Sequence, residues 1–76
     1  MLKIKDNVDL KELEKFGFEP RYSEITGKIV RYINGDERNI IRYIDNNHNY
    51  FPYWEVILNN NNLLYDLIQA GLVEKI

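Results

Sequence analysis

Residues 29–44, which read IVRYINGDERNIIRYI, decide the fold of this chain. β-branched and aromatic side chains dominate both ends of the stretch, and such residues favour β-strands. Asn34-Gly35 lies between the two ends, and an Asn-Gly pair is a strong hairpin signal because both turn positions must accept a positive φ. The stretch therefore predicts two antiparallel strands, over residues 28–34 and 38–45. Ile40, Ile41 and Ile44 also fit helical spacing, so a helix over residues 38–46 is the alternative.

Further strands are expected on both sides of this hairpin. Residues 21–25 and 53–58 have the same composition, and Trp54, Val56 and Leu58 alternate onto one face of the second segment. Pro20 has no backbone N–H, so the first of these strands should lie at the sheet edge or begin after the proline. Residues 2–5 and 72–76 indicate two short terminal strands.

Two short helices are predicted outside this region. Asp9 can cap a helix over residues 10–16, and Asn59 can cap a second one over about residues 60–70. Gly17 and Gly71 follow the two helices, where a left-handed residue commonly ends a helix. The apolar face of each helix must pack on another element, because helices this short do not persist alone in water.

Together these segments predict a single α+β domain spanning residues 1–76. The expected architecture is a three- to four-stranded antiparallel meander sheet with two short helices packed on one face. A chain of 76 residues buries only roughly 60% of its unfolded surface, so its core is thin.

The two central strands are apolar on both faces, although two short helices can cover only one face. A two-residue turn would pair Arg31 with Arg38, whereas a longer loop would set Val30 opposite Ile41. We expect the helices on the face that carries Val30, Tyr32, Ile41 and Tyr43. The other face is then the candidate partner-binding surface, with Ile29, Arg31, Ile33, Arg38, Ile40 and Arg42.

A second group of candidate partner-binding residues is aromatic. Tyr50, Phe51 and Tyr53 surround Pro52 in a loop-like stretch, and exposed tyrosine and phenylalanine side chains are common anchors at binding surfaces. Covering the open sheet face of a small domain is the alternative role for them.

The chain offers little for catalysis or for metal binding. It has no cysteine, a single serine, Ser23, and a single histidine, His48, with no local arrangement of a catalytic triad. Residues 45–49 supply oxygen ligands but lack the spacing and the terminal glutamate of an EF-hand. We therefore expect a non-enzymatic protein with no cofactor and no metal site.

Two segments carry a resemblance to known proteins. Residues 13–18, LEKFGF, and residues 64–75, LYDLIQAGLVEK, resemble small uncharacterised proteins from phages and prophages of low-GC Gram-positive bacteria. The similarity covers roughly a third of the chain and rests on helix and cap elements, so it brings no catalytic or binding residue with it. It implies a short accessory gene product in the cytoplasm of an infected or lysogenic cell.

The functional expectation combines these points. We expect a phage or prophage accessory protein that contacts a host protein, a phage protein or a second copy of itself. A single-stranded nucleic-acid-binding module that uses the Arg- and Tyr-rich strands is the alternative. The net charge of −2 makes nucleic acid the less favoured partner and gives no attraction to an anionic membrane. The beginning of the sequence has no apolar stretch of signal-peptide length, which favours a cytoplasmic location.

Overall fold

The computed structural model describes residues 1–45 and 52–76. Six strands in this part of the chain form one antiparallel sheet in the order β2-β3-β4-β5-β1-β6. The strands are β1 (Leu2–Ile4), β2 (Glu19–Tyr22), β3 (Ile29–Asn34), β4 (Asp36–Ile44), β5 (Tyr53–Leu58) and β6 (Val73–Lys75). A 3₁₀ helix, Leu10–Phe16, follows β1, and an α-helix, α1 (Asn61–Gln69), precedes β6.

The α+β class and both terminal strands are confirmed, but the sheet is larger than the expected three- to four-stranded meander because the terminal strands join it. Strands β2 to β5 form the predicted meander, and β1 then lies between β5 and β6. Both terminal segments therefore extend the sheet from four strands to six. The prediction of an edge strand at Pro20 is confirmed, because β2 lies at one end of the sheet.

The segment that could also have been a helix is a strand. Strand β4 runs through Asp36–Ile44 and pairs with β3 on one side and with β5 on the other. A strand with two neighbours satisfies its backbone N–H and C=O groups on both sides, so the helical alternative over residues 38–46 is wrong.

The pairing of β3 with β4 differs from both registers considered above. Arg31 pairs with Arg42, four residues beyond the expected Arg38. The register shifts next to Asn34, where the Asp36 carboxylate accepts a hydrogen bond from the Arg38 backbone N–H at 2.8 Å and closes a local turn. The residues between Asp36 and Ile40, which have no partner in β3, lie in this turn. The other β3–β4 pairs are Tyr32 with Ile41, Ile33 with Ile40 and Asn34 with Asp36.

The first helix forms over the predicted residues, but as a 3₁₀ helix. Asp9 caps it by accepting from the Lys11 N–H, and Gly17 ends it at φ 86°. The second helix begins one residue later than expected, since Asn60 rather than Asn59 caps it by accepting from the N–H groups of residues 62 and 63. In the described residues, neither helix has the length and apolar character needed to cross a membrane.

Both helices pack on the same side of the sheet, called here the helix face. Leu13 of the 3₁₀ helix and Leu67 of α1 are fully buried, and so is Ile41 at the centre of the sheet. Cross-strand pairs place Tyr32, Ile41 and Val56 in one row on this face. The buried cluster comprises Ile4, Leu13, Phe18, Tyr32, Ile41, Val56, Leu67, Leu72 and Val73.

A bulge at the start of β3 reverses two of the expected orientations. Arg21 pairs with Arg31 and Tyr22 pairs with Ile29, which leaves Val30 as an extra residue. Side-chain alternation is interrupted at such a bulge. Ile29 consequently packs against the core cluster, whereas Val30 is exposed. Ile29 was expected on the open face and Val30 under the helices, and both expectations are wrong.

Candidate partner-binding face

The face opposite the helices carries a row of charged side chains that crosses every strand of the sheet. Consecutive cross-strand pairs define the row and place its members side by side. In the order of the strands, the row consists of Arg21, Arg31, Arg42, Glu55, Lys3 and Glu74. We call this side of the sheet the arginine face.

The three arginines of the row are unevenly neutralised. Arg42 Nε donates to the buried Glu55 carboxylate at 2.8 Å. Arg21 lies 3.4 Å from the exposed Glu19 carboxylate, a solvent-screened pair that contributes little. Arg31 stands between these two arginines and has no ion pair with any residue in 1–45 or 52–76. This position therefore carries unbalanced positive charge. Like charges directly opposite one another destabilise a sheet.

The acidic half of the row is neutralised within the chain. Lys3 lies between Glu55 and Glu74 in the sheet and forms ion pairs with Glu74 at 3.7 Å and Asp6 at 3.3 Å. Positive charge therefore concentrates over β2, β3 and β4, whereas the β5, β1 and β6 side is balanced.

An apolar row runs beside the arginines, two residues further along the strands. Ile33 pairs with Ile40, which pairs with Ile57. Ile33 is buried, Ile40 is half-buried and Ile57 is 41% exposed. None of the three belongs to the core cluster under the helices. The accessible apolar surface of this face is therefore supplied by Ile40 and Ile57, with Ile33 beside them.

The six strand residues predicted for the partner-binding surface lie in three different places in the structure. Arg31, Ile33, Ile40 and Arg42 lie together on the arginine face. Arg38 is exposed in the irregular start of β4, outside the charged row, and Ile29 lies on the helix face.

The aromatic candidates are only partly within the described residues. Tyr53 is half-buried and pairs with Ile44 at the start of β5. Tyr50 and Phe51 lie outside the described residues, as does His48. The structure therefore places one aromatic candidate of the three.

Sequence reasoning missed several contributors to this face, among them Glu55, Ile57 and Arg21. Alternation predicts Trp54, Val56 and Leu58 on one face of β5, which already puts Glu55 and Ile57 on the other face. That signal was in the sequence. Arg21 could not be assigned in the same way, because its place in the row depends on the bulge in β3.

The tyrosines and the arginines of the central strands face opposite sides of the sheet. Tyr32 makes an edge-on contact with Trp54 at 5.5 Å between ring centroids, and Tyr43 lies 5.1 Å from the same indole. Burial raises the pKa of the Tyr32 hydroxyl, and the nearby Glu14 carboxylate raises it further. These rings belong to the helix face, so they do not provide stacking surfaces next to the arginines.

A small pocket opens on the helix face near the start of β5. Its volume is about 230 Å³, below the 300–1,000 Å³ of typical small-molecule sites. Trp54 and Tyr43 form one wall, while Lys5 and Asp6 supply its charged groups. Over the described ranges, no group of three or more His, Cys, Asp or Glu side chains is suited to hold a metal ion.

Replacing Arg31 with threonine is expected to stabilise the isolated protein. The substitution removes the central charge of three aligned arginines and introduces a residue with high strand propensity. The free energy of unfolding should rise by about 0.5 kcal/mol at low salt, the scale of one cross-strand pair, and by less in 1 M salt. Urea unfolding at both salt concentrations measures this. Arg38→Thr removes the same charge outside the row and should show no such salt-dependent gain.

Comparison of the chain with protein-family models, with curated proteins and with solved structures gave no match in any of the three. The functional interpretation therefore depends on the geometry and chemistry of the arginine face.

Proposed function

We propose that this protein is a non-enzymatic accessory protein of phage or prophage origin that acts in the host cytoplasm by binding another protein through its arginine face. The observation that carries the proposal is the alignment of Arg21, Arg31 and Arg42 beside the isoleucine row on the side of the sheet away from the helices. Arginines beside apolar side chains are typical of protein interfaces, where arginine is enriched.

The same arrangement gives less support to single-stranded nucleic-acid binding. Proteins of that kind stack bases on aromatic side chains beside a positively charged groove. Tyr32 and Tyr43 lie on the helix face, and the side chains beside the arginines are those of Ile33 and Ile40. Glu19 and Glu55 also stand next to the arginines and would repel phosphates.

Site-specific photo-crosslinking in the bacterium that carries the gene tests the proposal. A benzoylphenylalanine at position 57 samples the arginine face, and one at position 65, where Tyr65 is exposed on α1, is the control. We expect a defined crosslinked protein from position 57 that is absent from position 65. Equal yields at both positions, or crosslinks from neither, would contradict a binding role for the arginine face. Crosslinks to nucleic acid alone would favour the alternative.

A further inference from the structure

The charge pattern of the arginine face indicates what kind of protein binds there. This inference rests on the proposed function. We infer that its partner supplies an amphipathic α-helix with acidic side chains along one flank, lying across strands β3, β4 and β5. The apolar stripe of that helix covers Ile40 and Ile57, and its acidic flank meets Arg31.

Charge complementarity argues for an acidic partner. Arg31 lies between Arg21 and Arg42 and has no ion pair with the described residues, whereas each of its two neighbours has one. A carboxylate brought to Arg31 would relieve the like-charge repulsion along the row and could form a bidentate pair with the guanidinium. A partner with a neutral or basic surface would leave that repulsion in place.

A second copy of this chain has no free carboxylate in its charged row, because Glu55 is paired with Arg42 and Glu74 with Lys3. In a face-to-face dimer, a two-fold axis along the charged row sets each arginine against its own copy. A two-fold axis parallel to the strands, between β4 and β5, sets Arg31 against Lys3, although it also sets Arg42 against Glu55 and Arg21 against Glu74. Neither arrangement brings a free carboxylate to Arg31, which favours a different protein over self-association.

The spacing of the two rows fits a helix that crosses the strands. Neighbouring strands lie about 4.8 Å apart, and one helical turn rises about 5.4 Å. Each successive turn of the helix therefore lies over the next strand, across three strands. The arginine and isoleucine rows are two residues apart along each strand, which is roughly 7 Å. A helix about 10 Å wide therefore covers both rows at once, with apolar residues on one row and acidic residues on the other.

Binding of two designed peptides to the full chain tests the inference. Both are capped helices of eighteen residues with leucines at helical spacing, and they differ only in carrying glutamates or lysines along one flank. We expect the glutamate peptide to bind at 0.15 M salt, with isoleucine methyl shifts at Ile40 and Ile57. Arg31→Glu should weaken this binding by at least about tenfold, the scale of one interfacial charge pair, and should improve binding of the lysine peptide.

The control variant is Lys75→Glu, which makes the same charge change on the helix face of the edge strand β6. It should alter binding of the glutamate peptide less than twofold. The inference is overturned if neither peptide binds, if both variants weaken binding equally, or if a twelve-residue oligothymidine binds more tightly through Arg31. If the peptide test fails but position 57 crosslinks to a protein, the binding role of the arginine face stands and only the acidic helix is rejected.

Discussion

Ile41→Ala is expected to lower the free energy of unfolding by about 3 kcal/mol, because it removes a large side chain from the centre of the core. Ile41 is fully buried in β4, and its cross-strand neighbours Tyr32 and Val56 are buried too. The flanking strands hold these neighbours in place, so the cavity can close only partly. A domain of this size is stable by roughly 4–11 kcal/mol, so the loss is a large part of the total.

Urea unfolding compares this variant with Ile57→Ala. Ile57 lies on the arginine face of the neighbouring strand and is 41% exposed, so its truncation should cost less than about 1 kcal/mol. The two substitutions delete the same atoms from opposite faces of the sheet. Equal losses would contradict the assignment of the core to the helix face, and a larger loss at Ile57 would reverse it.

Gly17→Ala should have the second-largest effect, a loss of about 2–3 kcal/mol. Gly17 has φ 86°, which costs a residue with a side chain roughly 1–2 kcal/mol. An added Cβ would also lie 3.0 Å from Asn34 Nδ2, which donates to the Phe16 carbonyl at 2.7 Å. Displacing that amide weakens the hydrogen bond between β3 and the end of the 3₁₀ helix, at a further cost of about 1 kcal/mol.

Gly71→Ala separates the two contributions. Gly71 has φ 74°, but nothing lies within 4 Å of the position of its missing Cβ, so only the backbone cost applies. Thermal or urea unfolding should show a larger loss at Gly17 than at Gly71. In an Asn34→Ala background, the Gly17 loss should fall to the Gly71 value, since no amide remains to be displaced. An unchanged difference in that background would show that Asn34 is not its source.

Helix limits were predictable because their signals are local. Asp9 and Gly17 bracket seven helical residues, and the hydrogen bond from the Leu72 N–H to the Leu67 carbonyl at 3.1 Å closes α1 where its sequence indicates. Each signal acts within about five residues. The exception is the choice between Asn59 and Asn60 as the cap, because the Asn39 side-chain oxygen accepts from both backbone N–H groups. That contact spans some twenty residues of sequence.

The sheet register was not predictable from local signals. The Asp36 turn and the bulge at Val30 depend on how neighbouring strands meet, and the position of β1 between β5 and β6 depends on the whole chain. The candidate face was nevertheless largely predicted, because the register error was four residues. Side chains alternate with a period of two, so an even shift leaves Arg31, Arg42 and Ile40 on the same face.

Solvent relaxation of isoleucine methyl groups shows whether the sheet has a covered helix face and an open arginine face. In the free protein, a soluble paramagnetic agent should strongly relax the methyl signals of Ile57 and Ile40 and leave those of Ile41 and Ile4 nearly unchanged. Protection of Ile57 equal to that of Ile41 would show instead that the arginine face is covered before any partner arrives.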